Sequence, residues 1–157
     1  MKEIKVLSQG QILSEEVNLN NKLVISFHNS SDYNIIEKQK VAFETNPTIL
    51  KNKNNILTLP RDDIQELSKF QFFKHNLKSY GNIFSKNDLI NIINFLNERD
   101  YREKDIIFQC EFGISRSLTT AILLHEYYLK NTHKLVVDEN KIRNKVIEKI
   151  IRNYFKK

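Results

Sequence analysis

Tryptophan is absent, and cysteine and methionine occur once each in 157 residues. A lone cysteine closes no intrachain disulfide, so the chain is not a stapled secreted domain. It also rules out the multi-cysteine zinc patterns. The four histidines, His28, His75, His125 and His133, show no metal-ligand spacing of their own. No apolar run approaches the ~20 residues of a membrane span. The opening Met1-Lys2-Glu3-Ile4-Lys5 leads into no long apolar stretch, so no signal peptide is expected. These absences point to the cytoplasm and away from a membrane partner. With only three glycines and two prolines, the turns must rest on Asn, Asp and Ser. There is no internal repeat and no long low-complexity tract.

What is present is enough for one folded unit. A chain of 18.7 kDa falls within the ~100–200 residues of a single core, giving one domain over residues 1–157. Such a core needs neither metal nor disulfide to fold. A hydrophobic fraction of 40% and a charged fraction of 28% are those of a globular chain. The net charge is +6. It permits contact with phosphorylated substrates, nucleic acid or acidic surfaces without choosing among them. Lys141 to Lys157 holds seven Lys/Arg and one acid, Glu148, as the solvated face of a terminal helix would. No zinc-finger spacing, aromatic RNA-binding strand or helix-turn-helix pattern accompanies it, so nucleic acid is not the favoured partner.

Ile4 to Leu7 is a short strand candidate. Leu23-Val24-Ile25-Ser26-Phe27, Ile56-Leu57-Thr58-Leu59 and Asp105-Ile106-Ile107-Phe108-Gln109 are continuous apolar runs, as buried strands should be. Residues 33–53 are ambiguous. Ser85-Lys86-Asn87-Asp88 has the form of a capping box. It opens a helix on which Leu89, Ile92, Ile93 and Leu96 recur at helical spacing to about Arg99. Leu118, Ala121, Ile122, His125, Tyr128 and Leu129 mark one face of a second helix. Ile142, Val146, Ile147, Ile150, Ile151 and Tyr154 mark that of a third. Strands alternating with helices predict an α/β domain with a central, mostly parallel sheet flanked by helices.

One constellation carries chemistry. Cys110-Glu111-Phe112-Gly113-Ile114-Ser115-Arg116-Ser117 lies between a predicted strand and a predicted helix. Successive backbone N–H groups in such a turn form an anion nest, and the helix N-terminus adds its positive end. Gly113, one of three glycines, sits where the chain must bend closely around a ligand. Arg116 offers a planar fork of donors matched to two phosphate oxygens. Surroundings that attract a phosphate dianion also favour a thiolate, so Cys110 is placed as a nucleophile aimed at phosphorus. A hydroxyl at Ser117 can hydrogen-bond the sulfur and help it leave.

The Cys-x5-Arg-Ser string resembles the signature of the cysteine-based protein tyrosine phosphatase superfamily. The fuller loop is similar to that of compact prokaryotic dual-specificity-like phosphatases. With typical residue frequencies, chance placement of Gly, Arg and Ser at these offsets from the single cysteine is on the order of 10⁻⁴. The resemblance implies a phosphatase-like fold with a phosphate-binding loop spanning Glu111, Phe112, Gly113, Ile114, Ser115 and Arg116. It implies hydrolysis of a phosphomonoester, on phosphotyrosine alone or on phosphoserine and phosphothreonine too, through a cysteinyl-phosphate and without metal or cofactor. Gln109 stands where the superfamily commonly has histidine. The loop has no lysine and carries Glu111, which argues against a highly charged inositol-lipid substrate.

The superfamily also uses an aspartic acid, on a loop after an earlier strand, as general acid and then base. Leu59-Pro60-Arg61-Asp62-Asp63-Ile64 occupies that place. The resemblance favours Asp63 by its offset from Pro60, with Asp62 close behind. A helix cap and first-turn acid before Ile64 is the competing account. Asp88 is a poorer candidate because capping explains it. The expected partner is a phosphorylated protein or a small phosphoester. Two other readings stay open: a phosphate-binding module that turns over poorly, and a phosphatase acting on RNA or nucleotide phosphates.

Overall fold

The computed structural model describes residues 1–14, 18–28, 46–61, 83–111, 113–138 and 140–156. Five strands form one sheet: β1 (Lys2–Ser8), β2 (Lys22–His28), β3 (Ile56–Pro60), β4 (Asp105–Cys110) and β5 (His133–Val136). Every pairing is parallel, in the order β3-β2-β4-β1-β5. The described sheet is thus parallel throughout. β5 is the strand that sequence pattern left unmarked: four residues at an edge, only His133 of them fully buried.

The helices are α1 (Gln9–Ile12), α2 (Pro47–Lys51), α3 (Lys86–Glu98), α4 (Arg116–Leu124) and α5 (Lys145–Phe155). Their starts are written in short polar side chains. Ser8 caps α1, Asn46 caps α2 ahead of Pro47, Ser85 and Asp88 form the expected capping box on α3, and Asn144 caps α5. α4 differs, because Ser115 makes no side-chain cap. Beyond Leu124 the helix widens into one π turn, His125–Leu129.

The sheet has a core on each face. Ile106, Phe108 and Cys110 of β4 point into the larger one, with Ile4, Leu23, Ile25, Leu89, Leu96, Leu123 and Ile151; Ile107 points into the smaller one, with Ile12, Leu19, Val24 and Ile49. This is the period-two alternation of a strand buried on both sides. Each fully buried Ile, Leu or Phe contributes ~1.5–3 kcal/mol, so the position of β4, and of Cys110 at its end, is set by the most strongly packed part of the molecule.

Cys110 lies opposite Ser8 in the β1–β4 register. After Ser8 the chain enters α1, whose Ile12 joins the smaller core. After Cys110 it enters α4, whose Ala121, Leu123 and Leu124 join the larger one. Adjacent parallel strands whose chains depart to opposite faces part at their carboxyl ends, and open α/β sheets bind ligands there. Among the described residues, no helix is long and apolar enough to cross a membrane.

Candidate functional site

The loop from Cys110 to Arg116 sits at this parting point and is tied to β1. The Gln9 N–H donates to the Glu111 carbonyl at 3.1 Å. Gly113 has φ +70°, and a Cβ there would stand 3.0 Å from the Ser8 nitrogen and 3.1 Å from the Leu7 carbonyl carbon. A left-handed backbone pressed against another backbone is a position for glycine alone. The loop therefore closes tightly over the end of β1.

Cys110 forms its floor, only 2% exposed. Its Sγ lies 2.9 Å from Ser117 Oγ, and either atom can donate. With the sulfur ionised, only the hydroxyl can, so Ser117 then points its proton at the thiolate. Arg116 begins α4 and is 3% exposed. Its Nη1 donates to the Arg61 carbonyl at 2.9 Å, and its own carbonyl accepts from Thr120 Oγ1 at 2.7 Å. Thr119 Oγ1, in the same turn, accepts from the Arg143 and Asn144 N–H groups at 3.3 and 3.1 Å. The start of α4 is thus braced from β3 and from the segment leading into α5. Ser115 is buried, Glu111 and Gly113 are half-buried, and Ile114 is 47% exposed at the rim.

The structure brings together Cys110, Glu111, Gly113, Ile114, Ser115, Arg116 and Ser117. Phe112, Asp62 and Asp63 lie outside the described residues. So does His75. Asp88 caps α3, as its sequence context implied. It also pairs with Arg61, at 2.8 Å from Nε and 3.1 Å from Nη2, a contact across 27 residues that no local pattern announces. Arg61 is the participant that sequence reasoning passed over. Its position directly ahead of the two acids was the available signal.

Gln109 faces away from Cys110. Its Oε1 accepts the hydroxyl proton of Ser26, its register partner on β2. Ser26 Oγ lies 2.8 Å from His28 Nε2. With the Ser26 proton given to Gln109, His28 is the donor in that contact. The His28 imidazole is therefore linked to Gln109, the residue beside the cysteine, through the Ser26 hydroxyl on the neighbouring strand.

The other two described histidines, His125 and His133, make structural contacts. His133 is fully buried with Nε2 on the Lys104 carbonyl and Nδ1 on Thr132 Oγ1, both at 2.8 Å, and His125 Nε2 lies 3.2 Å from the His133 carbonyl. No group of three His, Cys, Asp or Glu among the described residues is placed to hold a metal ion. Phe84 packs in the core, its ring centroid 6.1 Å from that of Phe27.

No family model, no curated protein and no solved structure matches this chain.

Proposed function

We propose that this chain is a phosphomonoester hydrolase of the cysteine-based tyrosine or dual-specificity phosphatase type, working through a cysteinyl-phosphate. One observation carries the reading. Cys110 and Arg116 stand at the two ends of a single tight loop, at the carboxyl edge of a parallel sheet, with the Ser117 hydroxyl 2.9 Å from the sulfur.

In the first step Cys110 Sγ attacks phosphorus and the ester P–O bond breaks. The loop amides and Arg116 hold the equatorial oxygens as charge redistributes. The departing oxygen takes a proton from a carboxylic acid, which the sequence resemblance assigns to Asp63 or Asp62. In the second step water attacks phosphorus and gives a proton to the same carboxylate. The P–S bond breaks, and the thiolate leaves with the hydrogen bond of Ser117. A thiolate is a better leaving group when such a donor is already in place.

The test is turnover of a phosphotyrosine peptide by the full chain. Cys110→Ser should abolish it. Arg116→Lys should lower kcat/KM by roughly 10²-fold or more, because a point charge cannot replace the fork. Asp63→Asn should slow the peptide by roughly 10²–10⁴-fold and an activated aryl ester far less, with Asp62→Asn showing little of this pattern. If the two acid variants trade places, the assignment moves by one residue. Substantial turnover in Cys110→Ser would sink the mechanism. Tight phosphate binding without turnover would make the chain a phosphate-reading module instead.

A further inference from the structure

On the proposed reading the Arg116 guanidinium is the group on which phosphate binding turns, and one of its contacts reaches another element. It donates to a backbone carbonyl, that of Arg61. That carbonyl helps to place the guanidinium only as far as it is itself fixed. Arg61 is fixed at several points. Its N–H closes a tight turn onto the Leu59 carbonyl at 2.9 Å, and its Nη1 donates to the Pro60 carbonyl at 3.0 Å. Its Nε and Nη2 grip both oxygens of Asp88, at 2.8 and 3.1 Å.

Asp88 is itself immobile. It is 2% exposed and accepts from the Ser85 N–H at 2.9 Å and from Ser85 Oγ at 3.3 Å. It sits in the first turn of a thirteen-residue helix whose Leu89, Ile92 and Leu96 are in the larger core. A capping box needs only one acceptor at this position. The bidentate hold on Arg61 is additional, and it is the stronger part, since charged fork-to-carboxylate pairs exceed neutral hydrogen bonds about twofold.

We infer that Asp88 and Arg61 form a latch that positions Arg116 for the phosphoryl group, Asp88 acting through Arg61 and never touching substrate. The inference rests on the phosphatase reading for its purpose but not for its geometry. The form of the link matters. Asp88 spends its charge on Arg61, and Arg61 passes the constraint on through a neutral carbonyl. This link therefore orients Arg116 without cancelling its charge, as a direct carboxylate partner would. It also pins the end of β3 at the residue that precedes Asp62 in the chain. A buried carboxylate at the start of α3 is thus linked, through Arg61, to the phosphate clamp on α4.

The experiment compares Asp88→Asn with Ser85→Ala in the full chain, by two readouts. Asn retains an acceptor for the Ser85 N–H but loses the charged grip on Arg61. Ala at position 85 removes the Ser85 hydroxyl from the helix cap and from Asp88 Oδ2, but keeps the Ser85 N–H on Asp88 and both Arg61–Asp88 hydrogen bonds. The guanidinium NMR resonances of Arg116 should show a fixed side chain in the parent and in Ser85→Ala, and an averaging one in Asp88→Asn. Affinity for inorganic phosphate should fall about tenfold in Asp88→Asn and stay near the parent value in Ser85→Ala. Added to Arg116→Lys, Asp88→Asn should cost nothing further, because its effect runs through the group already replaced. Where Asp88→Asn does not fold, Arg61→Ala removes the same pair and leaves the capping box whole. An Arg116 side chain equally fixed in Asp88→Asn or Arg61→Ala overturns the latch, as does additivity with Arg116→Lys. A parent protein that takes no phosphate overturns the functional reading instead, and the guanidinium readout still decides the latch.

Discussion

Gly113 shows how a single residue commits the loop. Its φ of +70° is strained for any side chain, and the atoms a Cβ would meet are backbone atoms of Leu7 and Ser8, which cannot swing aside. Left-handed backbone alone costs about 1–2 kcal/mol for a non-glycine residue. Gly113→Ala should therefore lose at least about that much stability in denaturant unfolding and should depress turnover more than stability alone explains. An unchanged unfolding midpoint would show that the loop is looser than described. Cys110, Gly113, Arg116 and Ser117 were legible in the sequence because their relation is local: five residues separate cysteine from arginine, with a strand before and a helix after. The links from Gln109 to Ser26 and from Asp88 to Arg61 were not. They depend on which strand lies beside β4 and on where α3 sits against the end of β3, and neither is a matter of spacing along the chain.

At the scale of the element, the buried strands announced themselves as continuous apolar runs, and the Ser85 box marked the start of α3 to the residue. The expected face of α4 was only partly right. Leu118, Ala121 and Leu129 are buried, but so are Leu123 and Leu124, while Ile122 is half-buried. The first turns of α4 are enclosed on nearly every side, and the π turn at His125–Leu129 shifts the stripe by one residue, so no single 3.6-residue period describes it. α5 is simpler, with Ile147 and Ile151 inward and its charges outward. Burial opposes ionisation of Glu148, but hydrogen bonds from Arg152 and Lys145 outweigh it and hold the carboxyl below its ordinary range. A carboxyl lowered on folding adds stability that is present above its unfolded pKa and fades as pH falls through the folded value. The pairs are surface pairs on one helix, each worth ~0.3–0.5 kcal/mol. Glu148→Gln should therefore be slightly less stable than the parent near neutral pH, and the gap should close in acid. A gap that persists or widens below the carboxylate range would assign the effect to something other than these pairs.

At the scale of the whole molecule, the strand order is what assembles the site. Ser8, Arg61, Asp88 and Cys110 are far apart in sequence, yet the order β3-β2-β4-β1-β5 sets the ends of β1, β3 and β4, where Ser8, Arg61 and Cys110 lie, along one edge of the sheet, and Asp88 of α3 meets Arg61 there. The alternation of strands and helices made the parallel sheet readable in advance. The order did not follow from it, because β1 finds its neighbours in β4 and β5 rather than in the next strand of the chain. That order sets Cys110 beside Ser8, where the chains part to opposite faces. The claim at the centre of this account is that a phosphoryl group passes through Cys110. It is tested most directly by quenching the protein in acid during turnover of a phosphotyrosine peptide and locating the adduct by mass spectrometry. The account predicts a phosphoryl group on Cys110. In Ser117→Ala the adduct should build up further, since the lost hydrogen bond slows its breakdown by about tenfold or more. Turnover that proceeds with no adduct on Cys110, in the parent and in Ser117→Ala alike, would contradict it.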